Sequence, residues 1–443
     1  MKELIAKIKM PVLILGDIFF LYFSLWIVLN LRLGEHLNKP MLDAHYFAFS
    51  FIFPLWIISF YIFGLYDLSS AKNTSSFYWM FLKATILNGL LSTTILYLFP
   101  NFFEVTPKTN LFLTLLLFGA LSCLWRYFYN FIIRSPNLLR ETVIIGKNSQ
   151  TNELVKKLNS NPQLGYRISS VINIKKTDSF DEKLLYSLHT LICPLNLNQY
   201  PKLANKLYRS LPNFNFETFP NFYEKITKKV PLSQIDEIWF LNNLKEKEQG
   251  IYEKIKRIED IIIGSLLGAV TIIAFPFVAL AIKLDSSGPV FYKQIRIGKN
   301  GKEFNLIKFR SMKKDAEKNG AVWAIKNDSR ITRVGHILRK TLIDELPQFL
   351  NILKGEISFI GSRPERPEFI KDLEKQIHFY QARHLIKPGL TGWAQINFKY
   401  GNSKKDALEK LQYELYYIKN RSLLLDLKII LKTINILLKG GTL

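Results

Sequence analysis

Residues 330–365 read RITRVGHILRKTLIDELPQFLNILKGEISFIGSRPE and carry two adjacent carboxylates, Asp344 and Glu345, in a basic setting. Arginines suited to phosphate oxygens lie on both sides of the pair: Arg310, Arg339, Arg363 and Arg366. An ionised carboxylate can attack phosphorus or bind Mg²⁺. Pro347 indicates a helix start beside the pair, and we expect the helix end and the cations to keep both carboxylates ionised. From these residues alone, an exposed patch of ion pairs is the competing interpretation.

An apolar run, Ile261–Leu284, precedes this stretch and is long enough to cross the ~30 Å hydrocarbon core of a membrane. Pro276 lies inside the run, where a proline removes a helical hydrogen bond. Both flanks are basic, so both favour the cytoplasmic side. We therefore expect a re-entrant helix over about residues 258–284, broken near Pro276, that enters one leaflet and returns. A fifth membrane span with a proline kink is the alternative.

The first 134 residues contain further apolar runs of membrane-spanning length. These runs are Met10–Leu31, Tyr46–Leu65, Phe77–Phe99 and Leu111–Ile133. Lysines precede the first run and arginines follow the last, which places both ends of a four-helix bundle in the cytoplasm. Asp17 and Lys83 lie within the runs, and we expect them to reach the membrane interface or to make polar contacts between helices.

Residues 135–250 alternate apolar and polar stretches in a way that is typical of a parallel α/β sheet. Strands are predicted at Thr142–Gly146, Ile168–Ile174 and Ile235–Leu241, with a helix at Gln150–Leu158 and a further apolar patch at Leu191–Cys193. The turn after the first strand has one glycine, Gly146, where a dinucleotide-binding fingerprint has three. The sequence therefore favours a degenerate Rossmann-like domain with a structural or regulatory role.

The composition agrees with a membrane part joined to a basic, water-exposed part. The chain has 443 residues, 48% of them hydrophobic, and a net charge of +24, of which +21 falls after residue 133. This apolar content excludes a disordered chain, and the two cysteines exclude a disulfide framework. The sequence contains no nucleic-acid-binding motif, so anionic lipid headgroups are a nearer partner for the positive charge than nucleic acid.

The region from about Arg257 to Leu443 resembles the bacterial sugar transferases, which are monotopic phosphoglycosyl transferases. The matching stretches are residues 330–365, GPVFYKQIRIGKNGKEFNLIKFRSM and KPGLTGWAQIN. The whole chain is similar to large members of this family, with four transmembrane helices in 1–134, the Rossmann-like domain in 135–250 and the catalytic α/β domain in 251–443. The resemblance implies transfer of a sugar 1-phosphate from a UDP-sugar to undecaprenyl phosphate. UMP would be released, and surface-polysaccharide assembly would begin.

The resemblance also implies roles for the matched residues. Asp344 resembles the nucleophile that takes the phosphosugar as a covalent intermediate, and Glu345 resembles its partner carboxylate on Mg²⁺. The implied phosphate-binding residues are Lys308, Arg310, Arg339, Arg363 and Arg366. Pro276 would mark the break in the re-entrant helix. Ser362 replaces the first proline of the family's Pro-Arg-Pro element, so we expect a looser loop there.

Location and partners follow from the same resemblance. It implies the bacterial inner (cytoplasmic) membrane, with the catalytic domain on the cytoplasmic face among inner-membrane lipids, and it allows a homodimer. Two other classes stay open at this point. A catalytically silent assembly or regulatory protein would keep the fold but would be expected to have damaged motifs. An oxidoreductase that uses the middle domain would need the missing glycines.

Overall fold

The computed structural model describes residues 2–103, 108–173, 188–194, 205, 214–244, 250–314, 316, 328–398 and 403–438. The chain divides into two compact units, Met1–Phe222 and Tyr223–Leu443. The first unit holds a bundle of apolar helices and a parallel sheet. The second unit holds a long apolar helix and the stretches that carry the predicted site.

The first unit begins with the helices α1 (Lys2–Leu33), α2 (Lys39–Ile62), α3 (Ser75–Leu98), α4 (Pro100–Phe103) and α5 (Lys108–Ile132). Side chains cap two of the starts. Asn38 accepts a hydrogen bond from the Met41 amide at 3.0 Å, and Thr74 accepts one from the Phe77 amide at 3.4 Å. The helices pack around an aromatic core centred on Trp56. The apolar N-terminal helices predicted from the sequence are confirmed.

Five helices in the described part of the chain are long and apolar enough to cross a membrane. They are Ile8–His36, Lys39–Ile62, Ser75–Leu98, Thr109–Ile132 and Gly250–Asp285. Large apolar side chains on these helices face outward, including Leu31 at 84% and Phe131 at 70% exposure. An apolar surface of this extent suits lipid and not water. The chain is therefore a membrane protein.

A buried ion pair links two helices of the bundle. Asp17 on α1 and Arg126 on α5 contact each other, and both are fully buried. Tyr66 and Ser122 donate hydrogen bonds to the two oxygens of Asp17, both at 2.8 Å. Arg126 also donates to the Leu65 carbonyl at 3.0 Å. Asp17 thus makes the polar contact between helices that the sequence allowed.

A four-stranded parallel sheet follows the bundle, in the order β2-β1-β3-β4. Its strands are β1 (Arg140–Ile145), β2 (Tyr166–Ile172), β3 (Thr190–Cys193) and β4 (Asn215–Thr218), and α6 (Ser149–Asn159) follows β1. Gly146 has φ 107°, which lets the chain turn directly after β1. The predicted parallel α/β region is confirmed, although Ile174, the predicted end of the second strand, lies outside the described residues. The Rossmann-like assignment stays a prediction.

The predicted strand Ile235–Leu241 is wrong. After α7 (Phe219–Thr227), the chain forms a helix there, α8 (Glu237–Asn243). Asp236 caps the start of α8, because its side chain accepts a hydrogen bond from the Trp239 amide at 2.8 Å. A short apolar run cannot be assigned to helix or strand by its periodicity alone, and here the cap favours the helix.

The remaining elements belong to the second unit. They are α9 (Gly250–Asp285), β5 (Phe291–Ile297), β6 (Glu303–Phe309), α10 (Arg333–Thr341), α11 (Phe349–Lys354), β7 (Ser358–Ile360), α12 (Pro367–Gln376), β8 (Gly389–Thr391), α13 (Trp393–Asn397), α14 (Lys404–Asn420) and α15 (Leu423–Leu438). β5 and β6 form an antiparallel hairpin, and β7 pairs with β8 in parallel. Ser403 and Asp406 form a capping box that begins α14.

The long helix α9 is held against the rest of the second unit by close packing and by a buried carboxylate. A β-carbon at Gly268 would lie 2.9 Å from the ring of Phe349, so the glycine lets α11 approach closely. Asp260 accepts hydrogen bonds from the Ser358 hydroxyl at 2.9 Å and from the Phe359 amide at 2.7 Å. These contacts fix α9 relative to α11 and β7.

The predicted break at Pro276 falls inside α9. The helix runs from Gly250 to Asp285 and is continuous through the proline. Beyond Pro276, Val278 and Ile282 pack against Phe309 of β6. The return of this helix to the side from which it entered the membrane therefore stays a prediction.

Candidate active site

The two predicted carboxylates lie on a short 3₁₀ turn, Ile343–Gln348, which we call the carboxylate turn. It joins α10 to α11. Leu342 has a left-handed backbone conformation with φ 56°, which reverses the chain after α10. Apolar residues of the turn pack against the cluster formed by α9, β6 and α10. This packing anchors the turn, and Asp344 and Glu345 line a cavity.

The cavity has a volume of about 470 Å³ and a strongly basic wall. It brings together all seven polar residues predicted for the site: Lys308, Arg310, Arg339, Asp344, Glu345, Arg363 and Arg366. Basic residues that the sequence did not single out also line it: Arg296, Lys313, Lys314, Arg330 and Lys410. Ten basic and three acidic side chains therefore face a cavity that suits an anionic ligand such as a phosphate ester.

Glu345 is held by two cations. Its Oε1 accepts hydrogen bonds from Nζ of Lys308 at 2.7 Å and from Nη2 of Arg363 at 3.1 Å. Burial alone would raise the pKa of Glu345, but the charges and hydrogen bonds of these two cations outweigh burial and lower it to about 2. Glu345 is therefore ionised at neutral pH, as the sequence predicts.

Asp344 has a different environment, although it is equally buried. Its exposure is 6%, and its Oδ1 has no hydrogen-bond partner among the described residues. Burial raises the pKa of Asp344 to about 6, and the charge of Glu345 adds to this rise. Lys308 and Arg339 oppose the rise only in part. Burial therefore has a larger effect than the cations on the pKa of Asp344, but a pKa of about 6 still leaves this carboxyl group mostly ionised at neutral pH, as the sequence predicts.

Arg339 and Arg310 make different contacts from each other. Nε of Arg339 donates to the Ser311 hydroxyl at 2.9 Å, which orients its guanidinium along the cavity wall. Arg310 donates from Nη1 to the Ser287 carbonyl and from Nη2 to the Ser286 carbonyl, both at 2.7 Å. Arg310 therefore holds the backbone that follows α9. Phosphate binding by either arginine stays a prediction.

The loop from Ser362 to Glu365 is tied down through its backbone. The Ser362 carbonyl accepts a hydrogen bond from the Gly389 amide at 2.7 Å, and the Glu365 carbonyl accepts one from the Ile297 amide at 3.1 Å. Nη1 of Arg296 donates to the Pro364 carbonyl between them at 2.9 Å. These backbone hydrogen bonds hold the loop without the first proline, and the looser loop expected there stays a prediction.

A buried pair behind this loop is absent from the sequence prediction. Nη2 of Arg383 donates to the Arg363 carbonyl at 2.9 Å, and the same guanidinium makes a two-point contact with Glu414 at 2.8 and 3.0 Å. Arg383 and Glu414 are 3% and 5% exposed. They hold the backbone of the residue whose side chain contacts Glu345. They lie outside the recognised motifs, and no local signal in the sequence marks them.

Arg366 lies at the start of α12, where its Nε is 3.6 Å from the carboxylate of Glu368. Its guanidinium lies 5.7 Å from the ring centre of Phe369, which also lines the cavity. Arg366 thus shares the cavity with the carboxylate turn while lying on a different element.

The donor set near the carboxylate turn fits Mg²⁺. Magnesium in phosphate-handling proteins is commonly held by one or two carboxylates together with substrate phosphates and water. Here Oδ1 of Asp344 lacks a partner among the described residues, and both hydrogen bonds to Glu345 end on Oε1, so Oε2 takes part in neither. The described residues contain no cluster of three or more metal-binding side chains, so this site would depend on a bound phosphate for further ligands.

The basic cavity around two carboxylates suits phosphorylated ligands, and the long apolar helices suit a membrane. The model of the bacterial sugar transferase family matches residues 251–440. A relative from Rhizobium leguminosarum bv. phaseoli, named exopolysaccharide production protein PSS, is 42% identical over 41% of this chain and 93% of its own length. The chain belongs to the bacterial sugar transferase family.

Two longer relatives have names that state a reaction. The chain is 42% identical to the UDP-N-acetylgalactosamine-undecaprenyl-phosphate N-acetylgalactosaminephosphotransferase of Aeromonas hydrophila, over 45% of this chain and 49% of the relative. It is 41% identical to the UDP-glucose:undecaprenyl-phosphate glucose-1-phosphate transferase of Escherichia coli (strain K12), over 42% of this chain and 40% of the relative. The matched stretch therefore spans half or less of these two proteins.

Proposed function

We propose that the chain is an undecaprenyl-phosphate sugar-1-phosphate transferase. It would move a sugar 1-phosphate from a UDP-sugar to undecaprenyl phosphate, release UMP and so begin the assembly of a surface polysaccharide. The names of the two longer relatives support the donor and acceptor classes, and the name of the Rhizobium relative supports the pathway. The basic wall of the cavity supports a substrate that carries several phosphate charges.

One observation carries this proposal: Oδ1 of Asp344 is buried in the cavity wall and has no hydrogen-bond partner among the described residues. A buried carboxylate oxygen without a donor is costly for the fold and is a stronger nucleophile than a solvated one. Glu345 next to it is already engaged by two cations. The two neighbours therefore suit different roles, with Asp344 as the reacting group.

In the first half of the proposed reaction, a carboxylate oxygen of Asp344 attacks the phosphorus bonded to the sugar 1-oxygen. The bond from this phosphorus to the UMP oxygen breaks, and UMP leaves with the bond's electron pair. In the second half, a phosphate oxygen of undecaprenyl phosphate attacks the same phosphorus, and the bond to Asp344 breaks. Lys308, Arg339 and Arg363 would neutralise charge on the transferred group. A Mg²⁺ ion held at Glu345 would supply further charge neutralisation when bound.

The proposal also includes the membrane topology, the domain organisation and the oligomeric state of the protein. α9 would be the re-entrant helix that enters and leaves on the cytoplasmic face of the bacterial inner membrane, because both of its flanks are basic. The parallel sheet of the first unit would be a Rossmann-like domain without a dinucleotide site. The three domains would follow the boundaries 1–134, 135–250 and 251–443, and the protein could act as a homodimer.

The test measures UMP release from a panel of UDP-sugars with Mg²⁺ and undecaprenyl phosphate, for the wild type and for Asp344→Asn in nanodiscs. We expect one UDP-sugar to release UMP, and we expect the variant to be inactive. Asp372→Asn, an exposed carboxylate of α12, is the matched control and should keep wild-type activity. UMP release that survives in Asp344→Asn would remove Asp344 as the nucleophile. If the wild type releases no UMP from any donor, the result would favour a protein that keeps the fold without the activity.

A further inference from the structure

Three phenylalanines form a continuous stack between the long apolar helix and the cavity. Phe275 on α9 stacks on Phe291 of β5, with ring centres 5.6 Å apart and planes 8° apart. Phe291 stacks in turn on Phe309 of β6 at 5.4 Å and 17°. Phe275 and Phe309 are 6.4 Å apart, so the three rings close on one another. We call this stack the aromatic wall.

The aromatic wall joins two environments. Its outer member, Phe275, lies directly before Pro276 on a helix with membrane-spanning character and is 39% exposed. Its other two members, Phe291 and Phe309, line the basic cavity together with Pro289. Phe291 is itself 40% exposed. Phe309 is 1% exposed and supports the other two rings from behind, so the exposed apolar surface that runs from the membrane helix to the cavity with Asp344 is formed by Phe275 and Phe291.

A surface that is apolar at one end and basic at the other suits an amphiphile with an anionic head and a hydrocarbon tail. Exposed apolar surface that continues from a membrane helix toward a polar cavity suits a hydrocarbon ligand. The basic residues of the cavity complement a phosphate, whereas the stacked rings complement a chain of branched hydrocarbon units. A nucleotide sugar has a base that can stack on one ring, but it has no hydrocarbon tail to cover Phe275 on the membrane helix.

We infer that the aromatic wall binds isoprene units of a polyisoprenyl phosphate acceptor beyond the one bonded to its phosphate, and so guides that phosphate from the membrane to Asp344. This inference rests on the proposed function and adds an acceptor subsite to it. It assigns a binding role to Phe275 and Phe291, which the carboxylate chemistry itself does not use. The first half of the reaction takes place without the lipid, so the two halves can be measured separately.

The experiment compares Phe275→Ala and Phe291→Ala with Phe277→Ala. Phe277 lies two residues from Phe275 on the same helix and is 74% exposed, and its ring makes no stacking contact with the described rings of the wall. Each variant is assayed in nanodiscs for exchange of labelled UMP into UDP-sugar, which needs no lipid acceptor, and for transfer to undecaprenyl phosphate. A one-isoprene phosphate serves as a short acceptor in the same transfer assay. Exchange that persists in a variant shows that it is folded.

We expect both wall variants to raise the KM for undecaprenyl phosphate by about tenfold, the loss that follows from removing one large apolar contact. The KM for the one-isoprene acceptor should change much less, because it covers less of the wall. Phe277→Ala should leave both values unchanged. Phe275→Leu, which keeps an apolar surface, should recover part of the affinity for the long acceptor.

The outcomes separate the inference from the function on which it rests. If the wild type exchanges UMP and transfers to lipid, but the wall variants raise the KM no more than Phe277→Ala does, the aromatic wall is not an acceptor subsite. An equal loss with long and short acceptors would also overturn it. If the wild type does not exchange UMP, the covalent route fails. If it does not transfer to lipid either, the inference falls together with the proposed function.

Discussion

Two buried aspartates in this chain, Asp17 in the helix bundle and Asp344 in the carboxylate turn, have opposite surroundings. Arg126, Tyr66 and Ser122 all donate to the carboxylate of Asp17. Asp344 is buried to a similar degree, yet its Oδ1 has no partner among the described residues. The fold satisfies the first charge and leaves the second incompletely satisfied.

The difference separates a group that holds the fold together from one that is available for chemistry. A buried charge is tolerated when donors surround it, and it is costly when they do not. Asp17 therefore stabilises the bundle only as long as its partners are present. The charge of Asp344 lowers the stability of the folded protein at neutral pH. Such a loss is typical of groups that are needed for activity. Substitutions at the two sites should consequently have opposite effects on stability.

The largest expected effect is that of Asp344→Asn on activity. Removing the carboxylate that we propose as the nucleophile should lower UMP release by at least about 10⁴-fold. The same change should raise thermal stability at pH 8. The pKa of Asp344 in the folded state, about 6, lies above its ordinary value, so its contribution to stability is present at low pH and is lost as the pH rises through about 6. The neutral amide removes this loss, which is on the order of 1–3 kcal/mol.

The measurement is the melting temperature in detergent at pH 8 and pH 4. The gain of Asp344→Asn over the wild type should be present at pH 8 and should shrink at pH 4, where the wild-type carboxyl is protonated. Asp372→Asn, which changes an exposed carboxylate, should show neither the gain nor the loss of activity. A melting temperature of Asp344→Asn below that of the wild type at pH 8 would contradict the assignment of Asp344 as an unsatisfied charge.

The sequence predicts where the two carboxylates lie better than it predicts their burial, their hydrogen bonds and their pKa values. Asp344 and Glu345 are neighbours within a recognisable stretch, and the fold brings every polar residue predicted for the site to one cavity. The sequence does not show how deeply each carboxylate is buried. It also does not show that Lys308 and Arg363 both bond to Glu345 and not to Asp344. The pKa of Asp344 depends on this three-dimensional detail.

The fold shows the same contrast. Long apolar runs predict the helices of the bundle because length and composition suffice to identify them. Short elements are harder to assign: β4 (Asn215–Thr218) is no more than half-buried and lacks an apolar pattern, and α8 depends on the Asp236 cap. The buried Arg383–Glu414 pair joins residues 31 positions apart, so only the folded chain brings the two side chains together.

The second prediction concerns the satisfied aspartate. Asp17→Asn should destabilise the bundle by about 3–5 kcal/mol, because it leaves the charge of Arg126 buried without a counterion. The carboxylate turn lies in the other unit, so protein that remains folded should keep its rate of UMP release per molecule. Thermal melting in nanodiscs, together with activity per folded molecule, measures both effects.

The double variant Asp17→Leu/Arg126→Met is the control for this second prediction. It removes both charges and replaces them with apolar side chains, so it should recover most of the stability lost in the single variant. If the double variant is as unstable as Asp17→Asn, the loss comes from the hydrogen bonds of Tyr66 and Ser122 and not from the unpaired arginine.

The third prediction tests the pair behind the loop. Arg383→Lys keeps the positive charge beside Glu414 but loses the planar group that also holds the Arg363 carbonyl. Arg363 should then position Glu345 less well, and kcat should fall by about 10–100-fold, with a smaller change in the KM for the donor. Arg421→Lys is the matched control, because Arg421 is also a buried arginine that pairs with a carboxylate, Glu253. An equal effect of the two variants on kcat would show that Arg383 has a general structural role.

The smallest expected effect is a shift in the pH profile. The rate at limiting substrate should fall about tenfold for each pH unit below about 6, because the proposed nucleophile is the ionised form of Asp344. Lys308 lowers the pKa of Asp344, so Lys308→Met should move the acidic limb upward by about one pH unit. Lys313→Met is the control: Lys313 lines the same cavity but is not among the charges that shift this pKa. If the limb moves equally in both variants, or downward in Lys308→Met, then the group that titrates in the reaction is not Asp344.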